Sequence, residues 1–179
     1  MRKRGGRKHL ATEGATSAPK RETAGDQLTA AALKALAGRP RSEKQLRELL
    51  LTRTLAGADE IDECIGRLKE LGFVDDRIFA FGYASSRLKA KAIGRSRLAR
   101  ELAARKVSSE AIEEAVEASY TDEPEGVLID RAIEKRVRAH GRPSDPRSAK
   151  RMFDHLARLG FEYDLIVKKL RAMKVGPKE

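Results

Sequence analysis

The sequence predicts an all-α protein built from three tandem three-helix repeats in an elongated array, and three observations carry that expectation. Ala, Leu, Arg, Glu and Lys dominate a chain that is 40% hydrophobic, 36% charged and only 4% aromatic, and these residue types lose least on entering a helix. Runs of β-branched and aromatic residues alternating with period 2, which a sheet requires, are missing, so no strand is expected. From Leu28 onward the apolar residues recur instead at helical spacing, in groups that fall into three trios.

Residues 1–25 hold seven basic and two acidic residues among Gly, Ser, Thr and Pro, and almost nothing that can enter a core. They read as a disordered basic arm. The first trio, over 26–74, follows from Leu28, Ala32, Leu33 and Leu36, then Leu46, Leu49 and Leu50, then Ile61, Ile65, Leu68 and Leu71. Its breaks fall at Gly38-Arg39-Pro40 ahead of a Ser42 cap, at Gly57 and at Gly72, where capping and terminating chemistry belong. The second trio, over 75–122, comprises Asp75 to Lys89, Gly94 to Arg105 and Ser108 to Tyr120. Pro124 opens the third, over 123–179. Its helices are predicted at Glu125 to His140, Asp145 to Leu159 and Tyr163 to Met173, separated by Gly141-Arg142-Pro143 and by Gly160.

The trios are related to one another. At an offset of 54 residues, Leu102 falls on Leu156, Val107 on Phe161, Ile112 on Ile166 and Val116 on Leu170. With one inserted residue the first trio joins them: Leu46 matches Leu98, Leu50 matches Leu102, Leu55 matches Val107, Ile61 matches Ile112 and Ile65 matches Val116. A unit of this length, repeated, implies an array in which each unit touches mainly its neighbours and offers a long surface instead of one pocket.

Thirty-eight basic against 27 acidic residues give a net charge of +11, enough to attract a polyanion across a Debye length. The single Cys64 excludes an intramolecular disulfide and a cysteine-rich metal site. No apolar run approaches the roughly 18 residues of a membrane span, and no secretory leader is apparent in the first 25 residues, so a cytoplasmic protein with no membrane partner is expected.

The strongest basic feature is the stretch Arg87, Lys89, Lys91, Arg95, Arg97, Arg100, Arg105 and Lys106, opposed only by Glu101. Residues 107–130 follow with eight acidic residues and no Lys or Arg. Such segregation gives one element that approaches phosphate or an acidic protein and one that is repelled by phosphate. Neutralisation of the two helices within the repeat is the alternative. Arg147, Lys150 and Arg151 are the matching cations of the third trio.

Asp75 and Asp76 follow a helix ended by Gly72 and precede a new helix, so capping is their expected role rather than metal or acid-base chemistry. His9, His140 and His155 are scattered, and no nucleophile, metal cluster or Gly-rich phosphate loop is found. No catalysis, cofactor or small-molecule substrate is therefore expected. Phe79 and Tyr83, at i and i+4, read as a core stripe, with Phe81 exposed.

The block Gly72-Phe73-Val74-Asp75-Asp76, Phe79-Ala80, Tyr83, Arg87, Gly94 and Leu98 to Val107 resembles the RecX family of recombination regulators. Leu33 to Leu50 and Leu156-Ala157-Arg158-Leu159-Gly160-Phe161 are similar to the family at the matching places, and the resemblance spans about Leu28 to Met173. Residues 1–25 inherit nothing from it. It implies a curved array of three-helix repeats that binds in the groove of a RecA filament on single-stranded DNA and inhibits its recombinase and coprotease activities. The cations named above are the residues this would assign to the partner. Direct DNA contact stays open, because three-helix units also resemble helix-turn-helix modules that sit in duplex grooves.

Overall fold

A helix forms where the chain supplies an acceptor for its first unpaired N–H groups. Ser42 Oγ accepts from Gln45 N at 3.3 Å, Asp75 Oδ1 from Arg77 N and Ile78 N at 2.7 and 3.1 Å, and Asp145 Oδ1 from Arg147 N and Ser148 N at 2.8 and 3.0 Å. The computed structural model describes residues 23–173. Among them lie nine helices and no strand: α1 (Ala24–Gly38), α2 (Glu43–Arg53), α3 (Ala58–Glu70), α4 (Asp76–Ala90), α5 (Arg95–Ala103), α6 (Ser109–Asp122), α7 (Glu125–His140), α8 (Pro146–Arg158) and α9 (Tyr163–Ala172). The helices predicted from spacing are all present.

The basic arm expected over 1–25 needs a correction at its end. Thr23 Oγ1 accepts from Asp26 N, and Asp26 accepts in return from Thr23 N at 3.0 Å, so residues 23–25 open α1. Residues 1–22 lie outside the described part of the chain.

Helix α1 packs on α2 and α3, α6 on α4 and α5, and α7 on α8 and α9. The apolar interior divides differently. One core holds Leu28, Leu46, Leu50, Ile61, Ile65 and Leu68 of the first trio. A second runs unbroken through the other two trios, from Ala80 and Leu88 through Leu98 and Leu102 to Leu156, Phe161 and Ile166. The matched positions Leu102 and Leu156 are both fully buried, and Val107 and Phe161 both lie within this core. The match of Leu55 to Val107 is wrong: Leu55 projects into solvent, and the neighbouring Ala56 packs on the first core. Ala56, Val107 and Phe161 each stand one residue before the N-cap of α3, α6 or α9, so the extra residue lies between Leu50 and Ala56.

Two junctions join the trios. Between the second and third, Gly94 N donates to Leu159 O at 2.9 Å and Ser96 Oγ to Gly160 O at 2.8 Å. A Cβ on Gly94 would stand 2.2 Å from Gly160 O, so only hydrogen fits. Between the first and second, the fully buried Ser42 donates from Oγ to Arg105 O at 2.6 Å. Asp76 spans the same junction, accepting from Glu43 N at 2.8 Å through Oδ1 and from Ser108 N at 2.9 Å through Oδ2. The predicted capping role of the acidic pair holds, and Asp76 serves two helices other than its own.

Gly82 provides the opposite case to Gly94, since it lies inside α4 with open space around it. Gly94→Ala should destabilise the protein by about 1–3 kcal/mol through overpacking. Gly82→Ala should stabilise it by up to about 1 kcal/mol through helix propensity. Urea unfolding of both variants followed by circular dichroism checks the pair, and a shift of the same sign in both would contradict the assigned packing.

Candidate functional site

The cations singled out in the second trio have two fates. Glu101, on α5, gathers three of the neighbouring side chains: Arg87 Nε and Nη2 donate to it at 2.6 and 2.9 Å, Arg97 Nε at 2.9 Å and Tyr83 Oη at 2.7 Å. Arg105 lies 3.9 Å over the Tyr83 ring and donates to Glu101 O at 2.8 Å. Arg97 also donates to Arg158 O at 3.0 Å, across to the third trio. Arg95 Nη1 donates to Glu117 at 2.7 Å, and its guanidinium stands 5.0 Å over Tyr120. Lys106 is paired with Glu48 of the first trio.

The charge of Arg87, Arg95, Arg97, Arg105 and Lys106 is thus used inside the fold. Neutralisation of the basic helix by the acidic one within the repeat, the alternative, accounts for Arg95 alone, through Glu117. Arg87 and Arg97 pair with Glu101 of the basic stretch itself, Lys106 with Glu48 of the first trio, and Arg105 with no carboxylate. Among the described residues Lys89, Lys91 and Arg100 remain exposed without an ion pair, Arg100 donating to Ser96 O at 3.2 Å. Phe79 and Tyr83 pack against the core and Phe81 is exposed, as their spacing indicates. On α4, Ile78, Phe81, Ser85 and Lys89 recur at helical spacing and all face solvent.

In the third trio, Arg147 and Arg151 are exposed without an ion pair among the described residues, and Lys150 makes a loose exposed contact with Asp154 at 3.4 Å. Arg151 belongs to a feature that the reading of the sequence missed. The end of α7 and the start of α8 enclose a cleft of about 320 Å³ lined by Arg136, His140, Arg142, Ser148 and Arg151. None of its three arginines has an ion-pair partner among the described residues. The signal lay in residues 135–151, where Lys135, Arg136, Arg138, Arg142, Arg147, Lys150 and Arg151 face Asp145 alone. His155 lies one turn beyond Arg151 on α8. Burial depresses its pKa, and the nearby charges of Arg136, Arg158, Lys91 and His140 depress it further.

No group of three or more His, Cys, Asp or Glu among the described residues is arranged to hold a metal ion. None of the helices is long and apolar enough to cross a membrane. Three packed trios of helices, with unpaired cations at their turns and on their outer faces, define a helical-repeat protein. Comparison with known proteins makes the class specific. Residues 75–116 match the RecX second three-helix domain. The regulatory protein RecX of Streptomyces coelicolor is 30% identical over 146 residues, covering 82% of this chain and 77% of that protein. That of Bacillus licheniformis is 32% identical over 136 residues, 75% of this chain and 51% of the relative. The crystal structure of RecX from Lactobacillus salivarius superposes with a TM-score of 0.74 at 21% identity, over 83% of this chain and 96% of that one. The chain belongs to the RecX family of regulatory proteins.

Glu101 holds two of the engaged cations, Arg87 and Arg97. Its carboxyl is held well below the usual carboxylate range, by the bond from Arg87 first and by those from Arg97 and Tyr83, against the effect of burial. A depressed folded pKa gives stability that is complete above the unfolded value of 4.5 and lost as pH falls towards the folded one. Glu101→Gln should therefore cost about 1–3 kcal/mol near neutrality. The gap between parent and variant should narrow as the pH drops below the unfolded value, which thermal unfolding across an acid pH series measures.

Proposed function

We propose that the protein docks on a RecA filament formed on single-stranded DNA and inhibits its activities, acting in the cytoplasm with no catalytic turnover of its own. Family membership supports a regulatory role, and one surface favours a protein as the partner. On α4, within the block that matches the family, Ile78 and Phe81 are exposed on the same face as Lys89. Exposed apolar side chains beside cations suit an acidic protein surface better than a phosphate backbone, which offers nothing to bury them against. Of the eleven cations assigned from sequence, we assign Lys89, Lys91, Arg100, Arg147, Lys150 and Arg151 to the partner, because they are exposed and are not tied into the fold. Arg87, Arg95, Arg97, Arg105 and Lys106 act by holding the surface in shape.

The rival reading, groove binding by α5 and α6 as a helix-turn-helix, is disfavoured by charge. Glu110, Glu113, Glu114 and Glu117 are exposed along α6, the helix that would enter the groove. A double variant, Ile78→Ser with Phe81→Ser, leaves the buried core residues of α4 untouched and should fold. It should weaken inhibition of RecA-dependent ATP hydrolysis on single-stranded DNA by about tenfold or more, as expected for interface anchors. Lys89→Glu with Lys91→Glu should weaken it too, with a reduced dependence on salt. Full inhibition by both double variants would remove α4 from the interface.

A further inference from the structure

We propose that the cleft between α7 and α8 is a phosphate pocket that holds a backbone phosphodiester of a nucleic-acid strand. It deepens the proposed function, in which nucleic acid runs beside the docked protein, and rests on it for its biological setting alone. Arg136, Arg142 and Arg151 converge on one concavity with His140 and the Ser148 hydroxyl. Elsewhere in the second and third trios five arginines are drawn to carboxylates: Arg77 to Glu114, Arg87 and Arg97 to Glu101, Arg95 to Glu117, and Arg131 to Glu123. Others, such as Arg100, Arg138 and Arg147, have no ion pair among the described residues. What sets the cleft apart is that three arginines line one concavity, and none of the three has a carboxylate partner among the described residues.

Of the acidic residues near the cleft in sequence, Glu134 is exposed and forms no ion pair with the cleft arginines, and Asp145 and Asp154 are already engaged. Asp145 caps α8, accepting from Arg147 N and Ser148 N, and Asp154 faces Lys150. Several guanidinium groups around one hollow repel each other unless an anion joins them, and their planar forks match two phosphate oxygens at a time. The anion is a strand and not a free ion because the positive charge continues out of the cleft. On the same two helices, beside the cleft in sequence, Arg138, Arg147 and Arg158 are exposed and have no ion pair among the described residues. These cations give neighbouring phosphates of a strand a partner each. No Phe, Tyr or Trp lines the cleft to stack on a base, so the pocket reads backbone and carries no sequence preference.

The test is the binding of a fluorescein-labelled oligothymidylate, without RecA, to the full chain at a series of salt concentrations. The triple variant Arg136→Gln, Arg142→Gln, Arg151→Gln should bind at least tenfold more weakly. The slope of log affinity against log salt should fall by about 2, at roughly 0.7 for each phosphate that is no longer neutralised. A charge-matched control, Lys34→Gln, Lys44→Gln, Arg53→Gln, alters exposed cations of the first trio that have no ion pair among the described residues and should keep most of the affinity. Circular dichroism reports folding. If the triple variant is unfolded, Arg142→Gln on the exposed turn is read alone, with an expected slope change of about 0.7.

An unchanged slope in the cleft variant, equal losses in both triples, or no binding by the parent protein would each overturn the pocket. So would retained oligonucleotide binding with lost inhibition of RecA, which would make the cleft a contact for an acidic protein surface. A parent protein that leaves RecA-dependent ATP hydrolysis unaffected, with oligonucleotide binding still lost in the cleft variant, would sink the filament reading and leave the pocket standing.

Discussion

The arrangement of the first trio against the second depends on the carboxylate of Asp76. Its two oxygens accept from the backbone N–H of Glu43 at the start of α2 and of Ser108 at the cap of α6, while Asp76 itself opens α4. Three helix N-termini, each with a partial positive charge, meet at one anion. Ser42, buried beside it, ties α2 to the last turn after α5 through Arg105 O. No continuous apolar core crosses this boundary. Hydrogen bonds set the angle there because they are directional where apolar contact is not.

The internal pairing of charge decides what is left for a partner. A net charge of +11 says little until the cations held by Glu48, Glu101 and Glu117 are set aside. What remains is uneven. The α4–α5 turn keeps Lys89 and Lys91, and the α7–α8 turn keeps a whole set of arginines. Equivalent places in two repeats thus present the same sign of charge on the surface from different residues, with the aliphatic and aromatic face of α4 alongside.

Helix positions were legible because the chain marks them twice, by period and by caps such as Ser42, Asp75 and Ser108. The start of α1 carried its own mark, Thr23 with Asp26 three residues on, but the surrounding Gly and charged residues masked it. Leu55 misled because an insertion of one residue shifts the apolar pattern without saying on which side it lies. The fate of the arginines was harder to read. The Arg97–Glu101 pair is visible at i,i+4 spacing, whereas Arg95 meets Glu117 and Lys106 meets Glu48 only through tertiary approach. Sequence shows that a residue is basic, and only packing shows whether its charge is already answered.

Lys106 adopts φ 62, a left-handed conformation, at the place where the third repeat has Gly160 with φ 87. A side chain in that region costs about 1–2 kcal/mol relative to glycine, yet only a residue with a long side chain can reach Glu48 from there. Strain and ion pair therefore sit on the same residue and respond differently to the surroundings. Dissolved salt screens an exposed pair and leaves backbone strain untouched. Added salt therefore removes only the contribution of the Lys106–Glu48 pair to the first junction. The Asp76 and Ser42 bonds there, and the glycine-tight seam between the second and third trios, are little affected.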